Sequence, residues 1–297
     1  MKIVGIGEIL WDVFEDGERL GGASFNFCAH AHRLGHQVFF VSGLGADERG
    51  ARAYAEMEKL GLSPRFVQRV PTATGTVTVK LDGNGQPAFH LHRPAAYDVI
   101  SPSEADFTAL AALRPDWIYF GTLHQITPLQ RANTARLLDE SPSARRFYDI
   151  NLRPPAYTPE LLRDLMGRAD AVKLNDSEVI EIGRMFSQGA TTIRDFCDCN
   201  ARQFGWSSVC VTRGASGCSI WMDGAYVECP GYPVRVADSV GAGDAFAAAF
   251  LHGLNAGWPA AQIGDFANRV GALVASRAGA IPEWTVDECK ALERAAD

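Results

Sequence analysis

The alternation of short apolar runs with longer amphipathic stretches restricts the fold of this chain more than any other feature. Apolar runs at Ile3–Ile6, Val38–Val41, Trp117–Phe120, Phe147–Ile150, Ala171–Leu174 and Val209–Thr212 read as strands. Ala23–Leu34, Arg49–Leu60, Leu129–Glu140, Asp176–Met185, Thr191–Phe204, Ala242–Leu254 and Ala260–Ala278 read as helices. Strand and helix in turn is the pattern of an α/β fold, a doubly wound, mainly parallel sheet with helices on both faces. Glycine follows the first two helices, at Gly35 and Gly61, where a left-handed cap is expected.

One region breaks the alternation. Thr74 to His92 patterns as a hairpin, with strands Gly75–Leu81 and Ala88–His92 about a turn at Asp82–Gly85. Together with Trp11–Leu20 it predicts a small β-sheet lid beside the main sheet. No repeat, low-complexity tract or composition shift divides the 297 residues, so one domain is expected, with lid segments at about 11–20 and 74–92.

Composition narrows the function classes. Apolar residues make up 47% and charged residues 21%, enough for a sizeable core. With 28 Lys and Arg against 35 acids, the net charge of −7 argues against nucleic acid or an anionic membrane as partner. The first residues lack the basic, apolar and small-residue regions of a signal peptide, and no apolar run is long enough to span a bilayer. Seven scattered cysteines without a CxxC pair read as free thiols, so a cytoplasmic protein is expected. The P-loop pattern, a complete dinucleotide fingerprint and the protein-kinase signatures are all absent.

The segment Asp238-Ser-Val-Gly241-Ala242-Gly243-Asp244 runs straight into an Ala-rich helical stretch. Glycines there let a ligand approach the backbone, and the free N–H groups of a first helical turn stabilise negative charge. A carboxylate beside such a site suits removal of a proton from an attacking hydroxyl. Taken alone, the same residues read equally well as a tightly packed helix start whose acid complements the dipole.

This segment resembles the C-terminal signature of the ribokinase-like, or PfkB, carbohydrate kinases. Gly21-Gly22-Ala23-Ser24-Phe25-Asn26, continuing to Gly43–Gly50, is similar to their N-terminal signature. Between them, in family order, stand Asp149-Ile-Asn151-Leu-Arg153, Lys173-Leu-Asn175-Asp-Ser-Glu178 and Thr212-Arg-Gly214-Ala-Ser-Gly217. The likeness runs from about residue 3 to about residue 282. It implies a ribokinase-like fold and transfer of a phosphoryl group from ATP to a sugar hydroxyl, with Mg²⁺ as cofactor and K⁺ as a further candidate.

The resemblance also assigns roles. Asp244 would be the base, with Gly241, Ala242 and Gly243 supplying backbone donors. Asp12, Gly22, Asn26 and Arg93 would contact the sugar. Thr212, Gly214 and Gly217 would cradle the nucleotide phosphates, with Asn268 flanking the adenine. Arg153 would either bridge substrate and phosphate or pair with Asp149 to cap its own loop. Asn175 and Glu178, one helical turn apart, resemble an element that orders Mg²⁺ through water. As residues they also read as a helix N-cap with an acid at N3. His90 and His92 share one strand face and are expected to touch the sugar from the lid.

Gly22-Ala23-x-x-Asn26 resembles fructokinases, whereas Asp149-x-Asn151-x-Arg153 is shared with 2-keto-3-deoxygluconate kinases. The expected reaction is phosphorylation of a primary hydroxyl of fructose, with ketodeoxygluconate, ribose or a nucleoside as alternative acceptors. A non-catalytic sugar or nucleotide sensor is the alternative from another class, and the acid at position 244 argues against it. A lid of two bare strands leaves an open edge, which points to a homodimer formed through the lid.

Overall fold

The computed structural model describes residues 1–81, 87–186 and 192–293. The first half of the chain forms β1 (Lys2–Ile6), β2 (Leu10–Phe14), β3 (Gly17–Gly21), α1 (Ala23–Arg33), β4 (Gln37–Gly45) and α2 (Glu48–Lys59). Then come β5 (Val67–Val70), β6 (Gly75–Leu81), β7 (Pro87–His92), α3 (Glu104–Ala112), β8 (Trp117–Gly121) and α4 (Pro128–Asp139). The second half forms β9 (Arg145–Asp149), α5 (Pro159–Gly167), β10 (Ala171–Asn175), α6 (Asp176–Met185), α7 (Ile193–Phe204) and β11 (Ser208–Thr212). It ends with β12 (Cys218–Met222), β13 (Ala225–Cys229), α8 (Ala242–Asn255), α9 (Ala260–Ala275) and α10 (Val286–Ala291).

Nine strands make one sheet in the order β13-β12-β11-β10-β9-β8-β1-β4-β5. The pairs from β11 to β5 are parallel, and β12 and β13 continue the edge antiparallel. Strand order reverses between β1 and β8, and in such sheets ligands bind outside the carboxyl ends of the strands near that point. Alternate residues of each strand feed two cores. Ile3, Trp117, Phe147 and Phe250 lie in one, with α1, α8 and α9, and Val4, Ile118, Tyr148 and Val172 lie in the other, with α4 to α7. The doubly wound α/β expectation holds. No helix among the described residues is long and apolar enough to cross a membrane.

A second sheet has the order β3-β2-β6-β7 and contains both expected lid segments. The expected turn at Asp82–Gly85 lies outside the described residues. Asp12, Val77 and Leu91 form one row across this sheet, and Leu10, Val77 and Leu91 join a small apolar cluster on its inner face. The lid entry is fastened by Asp47, the N-cap of α2. Its carboxylate accepts from Gly50 N at 2.7 Å, Thr74 N at 2.8 Å and Thr74 Oγ1 at 2.7 Å. The Gly43–Gly50 segment of the N-terminal signature is therefore a joint between α2 and the lid.

Several elements lie outside the sequence expectation: α3, α5, β5, α10 and the hairpin β12–β13. The hairpin turns on Asp223-Gly224, both at positive φ (50° and 87°), the most direct short-range hairpin signal a sequence carries.

Candidate active site

The site lies where β1, β8, β9, β10 and β11 end. A cavity of about 340 Å³ is lined by Glu8, Asp12, Gly22, Asn26, Arg153, Lys173, Asp244 and neighbours, with Val77 and Leu91 of the lid above. A second cavity of about 610 Å³ is lined by Gly214, Gly217, Tyr232, Val236, Ala242, Phe246, Asn268 and Ala272, among others. Thr212, Ser239 and Gly243 line both, so the two spaces meet at the start of α8.

Asp244 occupies the first turn of α8 and is 9% exposed. Burial pushes its carboxyl up to about 6; the Lys173 ammonium opposes this and Asp149 reinforces it. Asn26 Nδ2 donates to Asp244 Oδ2 at 2.8 Å, while Asn26 Oδ1 is buried with no hydrogen-bond partner among the described residues. The helix start depends on Gly241, at φ 79°: a Cβ there would sit 2.3 Å from the Ala280 carbonyl oxygen. Gly241 and Gly243 face the smaller cavity, whereas Ala242 lines the larger one and turns its N–H toward Ser239 O at 3.4 Å. Of the three backbone donors named from sequence, Ala242 is thus the one turned away.

On the acceptor side, Asp12 sits on β2 under the lid. Burial, and then repulsion from Asp238, push it up to about 6. Gly21 leaves room for it, since a Cβ there would lie 2.7 Å from Asp12 Oδ2. The sequence reading missed Glu8. Its carboxylate caps α1, accepting from Ser24 N at 3.2 Å and Ser24 Oγ at 3.0 Å, in place of the absent side chain of Gly22.

Two motifs that are separate in sequence interlock here. Lys173 Nζ lies 3.1 and 3.2 Å from the two Asp149 oxygens. Glu178 Oε1 accepts from Leu152 N at 2.7 Å, and Glu178 Oε2 accepts from Asn175 N at 2.8 Å. Asn175 Oδ1 in turn accepts from Glu178 N at 2.9 Å, completing a capping box on α6. Glu178 thus fixes the loop after β9 to the start of α6, and only Asn175 of the pair reaches the smaller cavity. Among the described residues Asp149 is ion-paired with Lys173, and no ion pair joins it to Arg153. Arg153 is exposed, lines the smaller cavity and donates to Leu152 O at 3.0 Å.

Two expectations need correction on geometry, those for Arg93 and for the His90/His92 pair. Arg93 does not line the cavity: its guanidinium is ion-paired with Asp98 and donates to Leu123 O at 3.4 Å, anchoring the exit of β7. His90 and His92 do share a strand face, but both are exposed, and His92 Nε2 meets Thr78 Oγ1 at 2.7 Å. The pleat gives the cavity face to Leu91 instead. Asn268 lines the larger cavity, yet its Nδ2 donates to Cys229 O at 3.2 Å and Pro230 O at 3.1 Å, so it shapes the wall.

Comparison with known proteins identifies the family. The model of the pfkB family carbohydrate kinases matches residues 7–286. A fructokinase of Klebsiella pneumoniae is 31% identical over 270 residues, covering 86% of this chain and 85% of its own length. Two solved structures share the fold. Fructokinase with bound ATP from Xylella fastidiosa has a TM-score of 0.86 at 23% identity over 97% of each chain. The 2-dehydro-3-deoxygluconokinase of Thermotoga maritima has 0.86 at 19% identity over 98% of each. With a family model matched along nearly its whole length and the joined cavities where that family's signatures meet, the chain belongs to the pfkB family of carbohydrate kinases.

Proposed function

We propose that the protein transfers the γ-phosphoryl group of ATP to a primary hydroxyl of fructose, with Asp244 taking the hydroxyl proton. One observation carries this reading: Asp244 lines the acceptor cavity next to Gly243, which borders both cavities. The larger cavity, walled by Gly214, Gly217, Val236 and Ala272, suits a nucleotide, and the smaller one a monosaccharide. Asp12 and the buried Oδ1 of Asn26 are acceptors for sugar hydroxyls. An acid held near pKa 6 is ionised at neutral pH yet basic enough to take a proton.

Fructose is favoured by Gly22-Ala23-x-x-Asn26 and by the likeness to the Klebsiella fructokinase. Ketodeoxygluconate is the second acceptor to test, because Arg153 lines the cavity and its planar fork suits a carboxylate. Mg²⁺ bound with the phosphates would offset charge that develops during transfer. Glu178 and Asn175 fit an outer role toward it, since both side chains are engaged by backbone N–H groups. The lid edges β3 and β7 support pairing with a second copy, which sedimentation would check. All seven cysteines are free, which supports a reducing, cytoplasmic setting.

ADP release measured across fructose, ketodeoxygluconate, ribose, adenosine and fructose phosphate tests the reading. Fructose should give the highest kcat/KM. Preference for ketodeoxygluconate would move the assignment to a sugar acid, and release with no acceptor at all would favour the sensor.

A further inference from the structure

Lys173 is the least expected side chain in the site. It lies in the middle of β10, a strand buried among apolar neighbours, and its side chain is 8% exposed. A lysine in such a place needs a counter-charge, and Asp149, at the end of the adjacent strand β9, supplies it at 3.1 and 3.2 Å. Burial works against the ammonium, but attraction from Asp149, then Glu178 and Asp244, outweighs it and raises the pKa, so the group is cationic. An ammonium has three N–H donors, and among the described residues its one hydrogen-bond partner is this carboxylate.

The open side of that ammonium faces the reaction. Lys173 lines the smaller cavity with Asn175, Thr212, Gly243 and Asp244. A methyl group built on Gly243 would sit 3.5 Å from Nζ, and Gly243 borders both cavities. The charge is therefore fixed at their junction. Arg153, which also lines the smaller cavity, is exposed, whereas Lys173 is buried.

We propose that Lys173, held by Asp149, is the fixed cation beside which the phosphoryl group passes from nucleotide to acceptor. The inference rests on the kinase reading above. In the step, the bond between the γ-phosphorus and its bridging oxygen breaks as the acceptor oxygen bonds to that phosphorus. The hydroxyl proton goes to Asp244, the electron pair leaves with ADP, and Lys173 exchanges no proton. A preorganised charge in a buried site stabilises the spread negative charge of that transition state with little reorganisation. Asp149 is a positioning residue, because it holds Lys173 and lines neither cavity.

Lys173→Met alone would strand a buried carboxylate and risk misfolding, so the informative variant is Lys173→Met with Asp149→Asn. It should melt close to wild type, lose roughly 10²–10³-fold in kcat and keep the fructose KM within about threefold. Titrated with Mg²⁺ present, ATP should bind roughly tenfold more weakly while ADP binding holds, because only ATP carries the group that meets the ammonium. A folded double variant with wild-type turnover, or one that loses ATP and ADP affinity equally, overturns the proposal and leaves the pair a structural strut. The ATP-to-ADP comparison needs no sugar. If wild type fails to phosphorylate fructose, the acceptor reading falls while this measurement still decides the role of Lys173. If the double variant does not fold, Lys173→Arg keeps charge and pairing but displaces the charge, and it should cost at least about tenfold in kcat. Unchanged kcat in that variant also overturns the proposal.

Discussion

Asp244 can accept a proton only while ionised, and its surroundings set when that is so. Burial raises it to about 6, with Lys173 pulling the other way. A raised acid is protonated over a wider range, so activity is lost as pH falls through about 6 and is full above it. The acid limb of kcat/KM should therefore be centred near pH 6, about two units above an ordinary aspartate. Asp12, also pushed up to about 6, adds a second ionisation if the sugar needs its carboxylate. The limb would then approach about a hundredfold per pH unit at its foot, and Asp12→Asn should return it to about tenfold. A limb centred near pH 4 would remove Asp244 as the group responsible. Asp244→Asn keeps the size and the contact with Asn26 but removes the base. Its kcat should fall by roughly 10²–10⁴, with fructose and ATP still bound in calorimetric titrations. Turnover near wild type in that variant would end the assignment.

At the scale of the elements, the signature motifs matter as joints. Glu178 Oε1 and Oε2 each accept one backbone N–H, from Leu152 and Asn175. A glutamine there turns one acceptor into a donor facing an N–H, so Glu178→Gln should lose about 1–3 kcal/mol of unfolding free energy in a urea titration. The same change loosens the loop carrying Arg153 and should raise the Mg²⁺ concentration needed for half activity more than the fructose KM. An unchanged Mg²⁺ curve would leave Glu178 a structural cap. Asp47 is the equivalent joint for the lid. Asp47→Ala removes an N-cap worth about 1 kcal/mol and the two bonds to Thr74, and it should raise the fructose KM more than the ATP KM. Equal effects on both would show that the tie serves stability alone. Strands and helices with strong periodicity were legible in the sequence: α6 begins and ends at the expected residues, and Gly35 and Gly61 take the expected left-handed caps. What stayed hidden depends on contacts between distant residues. Nothing local shows that Lys173 meets Asp149 or that Arg93 meets Asp98, since strand order sets the first and the path of the lid exit sets the second. A lysine inside the apolar run Ala171–Leu174 was still a readable hint that a buried partner existed. The Asp223-Gly224 turn was local and readable, and the sequence reading passed over it.

For the molecule as a whole, the question is how a sheet with two open edges guards a site that must exclude water. The lid is tied to the body at both ends: Thr74 bonds to Asp47 before β6, and Arg93 bonds to Asp98 and Leu123 O after β7. Among the described residues its contribution to the cavity is Leu10 and one row, Asp12, Val77 and Leu91. Two of the three are apolar, and beyond the lid's small apolar cluster that row borders a polar cavity. A bound monosaccharide suits both, because its hydroxyls reach Asp12 while its carbon face covers Val77 and Leu91. Stability of the lid should therefore rise on sugar binding and not on nucleotide binding, since none of the described lid residues lines the larger cavity. Amide hydrogen exchange at Gly75–Val79 and Ala88–His92 should slow by about tenfold or more with saturating fructose, matching roughly 1.4 kcal/mol of added local stability. ATP with Mg²⁺ should leave it unchanged, and Asp12→Asn should weaken the response to fructose. This closure would keep water from competing with the sugar for the phosphoryl group, so the Asp12→Asn enzyme should also release more ADP per sugar phosphate formed. Slowing by ATP alone would mean that the lid answers to the nucleotide through the body of the protein. Indifference to both ligands would leave the second sheet without a gating role.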